Sequence, residues 1–264
     1  MIILADTVTK VGNDVHSAVL ICGSHGGVYP GYLAAKAGIR GVIFNDAGGG
    51  KDNAGIGSFA YLEALGIAAA TVSNTSCRIG DATDMVARGC ISRANGLARA
   101  LGVANGEACL MAAEKLEGAS LALGHQIEPV REGRNVYSAT TKRRIILIDS
   151  ASLVLPEDKY QIVVTGSHGG LLSGNDHLAL QTEAYAGVFH DAGIGIDGAG
   201  VTRLPALDRR GIAGIAVNGN SARIGDARSV FEDGIISCVN ETAFELGAIV
   251  GERVRDRLLT WSAG

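Results

Sequence analysis

Histidine, serine and aspartate recur at matching positions in the two halves of the sequence. Gly-Ser-His-Gly-Gly stands at residues 23–27 and returns at residues 166–170. Asp46 and Asp191 each open an Asp-Ala-Gly sequence further along. A serine or thiol, a histidine and an aspartate within reach of one another can supply a nucleophile, its general base and the carboxylate that orients the base.

The matches define a register between two copies. His25 and His168 are 143 residues apart (168 − 25 = 143), whereas Asp46 and Asp191 are 145 apart (191 − 46 = 145), so the second copy gains two residues between these motifs. The later register continues through Arg-Ile-Gly-Asp-Ala, which occurs once in each half. We interpret the chain as a tandem duplication.

The candidate catalytic residues are polar groups near the ends of apolar runs: His25, Asp46, Ser76, Cys77, His168, Asp191 and Ser221. His25 or His168 would be the general base and Asp46 or Asp191 would orient it. Ser76 or Cys77 would be the nucleophile. The candidate substrate-binding residues are Ser24, Gly26, Gly27, Lys51, Arg78, Ser167, Gly169, Gly170, His190 and Arg223. Among them, the glycine N–H groups would form an oxyanion hole or phosphate cradle, and Arg78 or Arg223 would hold a substrate carboxylate.

A purely structural interpretation stands beside this one. Glycine-rich turns after strands are common in tightly packed α/β proteins, and aspartates such as Asp46 or Asp81 can cap turns or helices. Ser24 can hydrogen-bond to the nearby backbone. A histidine inside a glycine turn has no comparable packing reason to occur twice, so the histidines favour function.

Several positions differ between the copies. Cys77 faces Ala222, Asn45 faces His190, and Lys51 faces an isoleucine. One composite site that divides its reacting groups between the halves would explain these differences, and drift at positions without function would explain them equally.

Cys77 follows a polar loop, precedes a predicted helix and is flanked by Arg78. Such surroundings lower the pKa of a thiol and raise its reactivity. The two short motifs, His25-Gly26 after one apolar run and Cys77 after another, resemble the His-Gly and Cys elements of caspase-like peptidases. That resemblance implies a histidine and cysteine pair in the site, and it covers these two motifs alone.

Apolar runs must position these residues. The runs at 18–22, 41–44 and 67–72 predict buried strands, with helical patterns between them. Continuous apolar strands that alternate with helices are typical of a parallel sheet covered on both faces, which binds ligands at the carboxyl ends of its strands. Long helices are expected at 82–101 and 227–247.

The expected fold class is α/β, with two tandem homologous three-layer α/β/α halves that contain mainly parallel sheets and are related by a pseudo-two-fold axis. The first repeat would span residues 1–120 and the second residues 145–264. Between them, 121–144 would be a basic connector with an extended piece around 134–140. A further helix is expected at 175–184.

Composition restricts the class of protein. The net charge is −4 and the basic residues are scattered, which argues against nucleic-acid binding. Five cysteines without a Cys-x-x-Cys spacing indicate neither a disulfide framework nor a structural zinc site. The short apolar run at the N-terminus has no basic flank, and no long apolar segment predicts a membrane span. We expect a reduced, cytoplasmic protein that could be a homo-oligomer.

These residues favour a small-molecule hydrolase acting on an amide, cyclic amide or ester, with a Ser/Cys-His-Asp type site that the repeats could share. The alternatives are a non-catalytic binding protein for an anionic metabolite and a metal-dependent lyase or isomerase. No cofactor is expected, although neighbouring histidines and aspartates could hold a divalent metal.

Overall fold

The computed structural model describes residues 1–122, 127–138, 142–172 and 176–264, without the side chains of Asn13 and Ser138. The chain forms two compact units. Unit 1 contains residues 1–49, 53–131 and 195–197, and unit 2 contains residues 50–52, 132–194 and 198–264. Each unit therefore includes three residues that belong to the other half of the sequence.

The elements of unit 1 follow the chain in this order: β1 (Ile2–Ala5), β2 (Val19–His25), α1 (Val28–Lys36), β3 (Gly41–Asn45), α2 (Ser58–Ala64), β4 (Ala68–Val72), α3 (Ala82–Arg88), β5 (Ile91–Ala94), α4 (Gly96–Ala100) and α5 (Cys109–Leu116). A 3-10 helix at Lys51–Ile56 lies between β3 and α2.

The sheet of unit 1 has five strands in the order β1-β2-β3-β4-β5. The first four are parallel, and β5 is antiparallel to β4. Every residue of β2, β3 and β4 is buried. Alternate side chains form two cores: Ile21 and Ile43 lie in the core with α3, α4 and α5, whereas Leu20 and Phe44 lie in the core with α1 and α2. Helices thus cover both faces of this sheet.

The elements of unit 2 are β6 (Arg134–Ser138), β7 (Ile145–Ile148), β8 (Ile162–His168), β9 (Ala186–His190), α6 (Arg203–Asp208), β10 (Ala213–Val217), α7 (Ala227–Asp233), β11 (Ile236–Val239), α8 (Glu241–Glu245) and α9 (Val254–Ala263). A 3-10 helix at Ile196–Val201 precedes α6.

The sheet of unit 2 has six strands in the order β11-β10-β9-β8-β7-β6. Strands β7 to β10 are parallel, and both edge strands, β6 and β11, are antiparallel to their neighbours. One face packs against α7, α8 and α9 around Phe231, and the other packs against α6 around Phe189.

The fold is therefore α/β with two mixed sheets, and the expectation of mainly parallel sheets is corrected on this point. The antiparallel strands β5 and β11 occupy parts of 82–101 and 227–247, where long helices were expected. Gly89 and Gly234 end the preceding helices in extended conformation, and the chain turns back along β4 or β10.

Two buried asparagines hold these returning segments in place. The Asn95 side chain accepts hydrogen bonds from the N–H groups of Ala69 and Ala98 and donates one to the carbonyl of Ile67. Asn240 makes the corresponding bonds in unit 2. Each asparagine therefore ties a sheet strand to the start of a short helix, and this tertiary role is not visible in a helical periodicity.

Two other expected elements differ in extent. The extended piece around 134–140 is present as β6, and residues 139 and 140 lie outside the described residues. The helix expected at 175–184 is reduced to a 3-10 helix at Asp176–Leu178, and residue 175 also lies outside the described residues. Among the helices of the described residues, none is long and apolar enough to span a membrane.

Candidate functional site

The polar motifs of unit 1 lie at the carboxyl ends of three neighbouring strands. His25 at the end of β2 is in register with Asn45 at the end of β3, and Asn45 is in register with Val72 at the end of β4. The N–H of Asp46 donates to the carbonyl of Val72, and the N–H of Asn74 donates to Asp46 Oδ1, each at 2.9 Å. One sheet edge therefore brings the three loops together. In unit 2, β8, β9 and β10 have the same pairing.

The first glycine of each motif lies inside a strand, at a position where the neighbouring backbone leaves no room for a side chain. Gly23 accepts a hydrogen bond from the N–H of Gly80 at 2.8 Å. A Cβ atom at Gly23 would lie 2.7 Å from the Asp6 carbonyl oxygen and 2.8 Å from the Asp81 nitrogen. Gly166 is confined in the same way in unit 2. This close approach holds the start of α3 or α7 against the strand that carries the histidine.

The motif histidines share one hydrogen-bonding arrangement. The N–H of Gly27 donates to His25 Nδ1 at 3.1 Å, and the N–H of Gly170 donates to His168 Nδ1 at 3.1 Å. A ring nitrogen that accepts a hydrogen bond carries no proton, so the neutral ring has its proton on Nε2. This tautomer is opposite to that of a triad histidine, whose Nδ1–H donates to an aspartate. The expected role of Asp46 or Asp191 in orienting a general base is therefore not the one that these contacts serve.

Asp46 and Asp191 are instead held by main-chain N–H groups. Asp46 Oδ1 accepts from Gly48 and Asn74, and Asp191 Oδ1 accepts from Gly193 and Gly219, all at 2.8–2.9 Å. In the described part of the chain, Oδ2 of each carboxylate has no hydrogen bond to protein. Two N–H donors hold one oxygen of each carboxylate and leave the other oxygen to accept from a ligand or water.

The glycine N–H groups expected to form an oxyanion hole are bonded within the protein. Those of Gly26 and Gly169 donate to the carbonyl groups of Asn45 and His190. Those of Gly27 and Gly170 donate to the motif histidines, as described above. Oxyanion stabilisation at these four positions would need another donor.

The candidate serines are also used internally. Ser76 Oγ donates to the Ser73 carbonyl at 2.8 Å and accepts from the Cys90 N–H at 2.9 Å. Ser221 Oγ makes the same pair of contacts in unit 2. Ser24 and Ser167 each accept one main-chain N–H at about the same distance. These contacts tie loops together, and no histidine is bonded to either Ser76 or Ser221 among the described residues.

The environment of Cys77 is opposite to the one expected. Its side chain is fully buried, and burial raises the pKa of the thiol to about 12. The Arg88 charge lowers this pKa by less than burial raises it. A thiol with so high a pKa is protonated at neutral pH and is a poor nucleophile. The surroundings expected to activate Cys77 are therefore not the ones that this loop provides.

His190 is a packed core residue. Its Nδ1 accepts from the Ala192 N–H and its Nε2 donates to the Ala222 carbonyl, each at 3.0 Å. Burial lowers the pKa of His190, although the Ala222 carbonyl and the Asp191 charge oppose the shift. With no exposed surface and both ring nitrogens bonded to backbone, His190 cannot reach a substrate in this conformation.

The candidate cationic residues Arg78, Arg223 and Lys51 are paired with carboxylates. Arg78 binds Asp197 at 2.9 Å in unit 1. Arg223 binds Asp52 and Lys51 binds Asp233, each at 2.8 Å in unit 2. These pairs are partly exposed. They neutralise the charges of Arg78 and Arg223, one of which was expected to hold a substrate carboxylate, and the charge of Lys51, which was expected to bind substrate.

Arg203 is the cation that the sequence reasoning missed. It is 5% exposed and has no carboxylate partner within the described residues. In the register of the repeated motifs its position matches Ser58 (203 − 145 = 58), so a charged residue stands in unit 2 where unit 1 has a small one at the start of a helix. That exchange was visible in the sequence, but burial of the charge was not.

Two further comparisons concern metals and known proteins. No group of three or more His, Cys, Asp or Glu side chains in the described residues is arranged to hold a metal ion. No family model, no curated protein and no solved structure matches the chain.

Proposed function

We propose that the protein is a small-molecule hydrolase acting on an amide, cyclic amide or ester, with His25 and His168 as electrophiles that polarise the substrate carbonyl. The observation that carries this proposal is the hydrogen bond that each of the two histidines accepts at Nδ1. In each unit a glycine N–H occupies Nδ1 and directs the proton of the neutral ring to Nε2.

A neutral imidazole N–H is a suitable donor to a carbonyl oxygen that gains negative charge in the transition state. The donor needs no reorganisation when the charge develops, because its tautomer is set beforehand. The glycine N–H groups of the same loops are bonded elsewhere, so His25 and His168 take the role that the sequence assigned to those groups.

The aspartates supply the matching acceptor. Asp46 or Asp191 would accept a proton from the attacking water through Oδ2, while its Oδ1 stays fixed by two N–H groups. The water oxygen bonds to the carbonyl carbon, the bond to the leaving nitrogen or oxygen breaks, and the proton held by the carboxyl group passes to the leaving group. This scheme needs no serine or cysteine nucleophile.

We further propose that the two units arose by duplication of one ancestral sequence. The support is the repetition of contacts at matching positions, such as the glycine N–H to histidine bond and the two N–H donors to the aspartate. Asp81 and Asp226 also cap α3 and α7 through the same side-chain oxygen.

A second candidate function is the binding of an anionic metabolite without catalysis. The specific observation in its favour is that the serine hydroxyls and the thiol proposed as nucleophiles are all used or buried in the protein, whereas the buried charge of Arg203 has no carboxylate partner among the described residues. The two candidates differ in whether a bound ligand is converted.

The test is hydrolysis of a panel of amides, cyclic amides and esters by the wild type and by His25→Gln, His168→Gln and the double variant. His16→Gln is the matched control because His16 is exposed and, within the described part of the chain, its side chain is hydrogen-bonded to the adjacent Ser17 alone. We expect the double variant to lose a factor of about 10²–10³ in kcat, the usual cost of removing an oxyanion donor. His16→Gln should keep wild-type kcat.

Circular dichroism and thermal unfolding of each variant separate loss of catalysis from loss of folding. A folded double variant with wild-type kcat would refute the electrophile role. Ligand binding by the wild type without turnover of any panel member would favour the non-catalytic candidate instead.

A further inference from the structure

Arg203 is a buried positive charge close to one of the motif histidines. It begins α6, and its guanidinium lies over the ring of Phe189 at 5.2 Å from the ring centre. Arginine is rarely buried to this extent unless a carboxylate or another anion compensates its charge. Burial lowers the pKa of Arg203 to about 10, so the side chain remains charged at neutral pH.

The guanidinium is only partly satisfied by the protein. Nε donates to the Gly170 carbonyl at 3.0 Å, and Nη1 donates to the carbonyl groups of Leu178 and Ala179 at 2.9 and 2.6 Å. Nη2 has no acceptor in the described residues, and it is not one of the fully buried nitrogens left without a partner. The remaining 5% of exposed surface and the unused N–H groups therefore allow one more contact.

Contacts with the motif loop place this charge beside the proposed site of unit 2. The main-chain N–H of Arg203 donates to the Gly169 carbonyl at 2.7 Å, and its Nε donates to the next carbonyl, that of Gly170. The N–H of Gly170 in turn donates to His168 Nδ1. Two consecutive residues after the histidine are thus held by one arginine.

Unit 1 holds both matching carbonyls without a charged side chain, and the Gly27 carbonyl accepts from the N–H of Gly31 at 3.1 Å. The N–H of Ser58 donates to the Gly26 carbonyl at 3.0 Å, and Ser58 Oγ donates to the same oxygen at 2.8 Å. Holding this loop therefore does not require a guanidinium. The carbonyl contacts explain three N–H groups of Arg203 but leave its net charge uncompensated.

We propose that Arg203 binds a carboxylate of the ligand of unit 2, so that the substrate carries a carboxylate group besides the bond that is cleaved. The statement about the substrate rests on the proposed hydrolase function, whereas the carboxylate site itself does not. A singly charged carboxylate neutralises the single charge of Arg203. A phosphate dianion would exceed that charge.

The experiment titrates the full-length protein with acetate, and with acetamide as a neutral molecule of the same shape. The readouts are the ¹⁵N NMR signal of the Arg203 side chain and the melting temperature. Variants Arg203→Lys and Arg203→Met remove the guanidinium. Arg209→Lys is the control, because Arg209 follows directly after α6 but pairs with Asp176 at the surface.

Acetate should shift the wild-type Arg203 signal in a saturable way and acetamide should not. Arg203→Lys should weaken acetate binding by about tenfold or more, because one ammonium cannot reproduce the fixed guanidinium geometry. Arg209→Lys should bind acetate as the wild type does. Equal responses to acetate and acetamide in the wild type would overturn the proposal even if both Arg203 variants failed to fold.

Two amide substrates, one with a carboxylate and one without, test the carboxylate site separately from the proposed hydrolase function. Turnover of both at equal kcat/KM would refute the carboxylate requirement and leave the hydrolase in place. Acetate binding at Arg203 without turnover of either would retain the carboxylate site and refute the hydrolase. Preference for the carboxylate substrate, lost in Arg203→Lys, would support both.

Discussion

The last residues of β3 and β9 form a natural comparison, because the same position is asparagine in unit 1 and histidine in unit 2. Asn45 Oδ1 accepts from the Ala47 N–H at 2.9 Å, and His190 Nδ1 accepts from the Ala192 N–H at 3.0 Å. The second polar atom of Asn45 contacts the sulfur of Cys77 at 3.8 Å, whereas that of His190 reaches the Ala222 carbonyl.

The differences therefore occur in compensating pairs. In unit 1 the small amide of Asn45 contacts a thiol, whereas in unit 2 the larger ring of His190 reaches the main chain of Ala222, a residue with only a methyl side chain. We infer that the same buried volume is filled in two ways. Asn45, Cys77, His190 and Ala222 are all fully buried. Two of the asymmetries that the sequence analysis explained by a divided active site, Cys77 and His190, are explained by packing. Packing does not explain the exchange of Ser58 for Arg203.

The largest loss of stability is expected when the larger of the two side chains, that of His190, is truncated. We expect His190→Ala to lower the free energy of unfolding by about 3–5 kcal/mol, because it leaves a ring-sized cavity and two main-chain groups without partners. Asn45→Ala removes less volume and should cost about 1–3 kcal/mol. Urea unfolding monitored by circular dichroism measures both. Equal losses in the two variants would show that volume does not distinguish the two positions.

Replacing the His190 and Ala222 pair by the asparagine and cysteine of unit 1 tests whether the two residues compensate each other. Ala222→Cys overfills the space beside His190 and His190→Asn underfills it, so each single substitution should destabilise by about 1–3 kcal/mol. The double substitution recreates the unit 1 pair, and we expect it to recover at least half of the summed loss. A double-mutant cycle in urea gives the coupling energy directly. Additive losses would contradict the view that the two residues compensate each other.

The sequence predicted the strand ends well because apolar runs and repeated motifs both point to them. His25, Asp46 and the loop after β4 do lie at one edge of neighbouring strands. It predicted the roles poorly, because roles depend on hydrogen bonds that no spacing reveals. The N–H of Gly27 determines the tautomer of His25, and that bond depends on the local backbone conformation rather than on residue type.

Strands β5 and β11 were not predicted for a similar reason. Their residues continue the apolar pattern of the preceding helix, and strands of four residues are too short for a period to distinguish them from a helix. Pairing with β4 or β10 and the buried side chains of Asn95 and Asn240 determine their conformation. Those are tertiary contacts, and local propensity gives way to them.

The smallest expected effect concerns pH and again separates His190 from Asn45. Burial lowers the pKa of folded His190 below its ordinary value of 6.5, so the unfolded chain binds a proton at a higher pH than the folded chain does. The contribution of His190 to stability is therefore complete above pH 6.5 and decreases as the pH falls toward the lowered folded value. The slope is at most about 1.4 kcal/mol per pH unit for one proton.

Protonation of His190 would also remove the acceptor for the Ala192 N–H, which gives the pH effect a structural basis. Between pH 7 and pH 5, the unfolding free energy of the wild type should decrease more steeply than that of His190→Asn, in which the position cannot titrate. His16→Gln, at an exposed histidine, should follow the wild-type curve. If the curves of the wild type and His190→Asn run parallel over this range, His190 does not titrate differently in the folded and unfolded states, and its ring is not held neutral by burial.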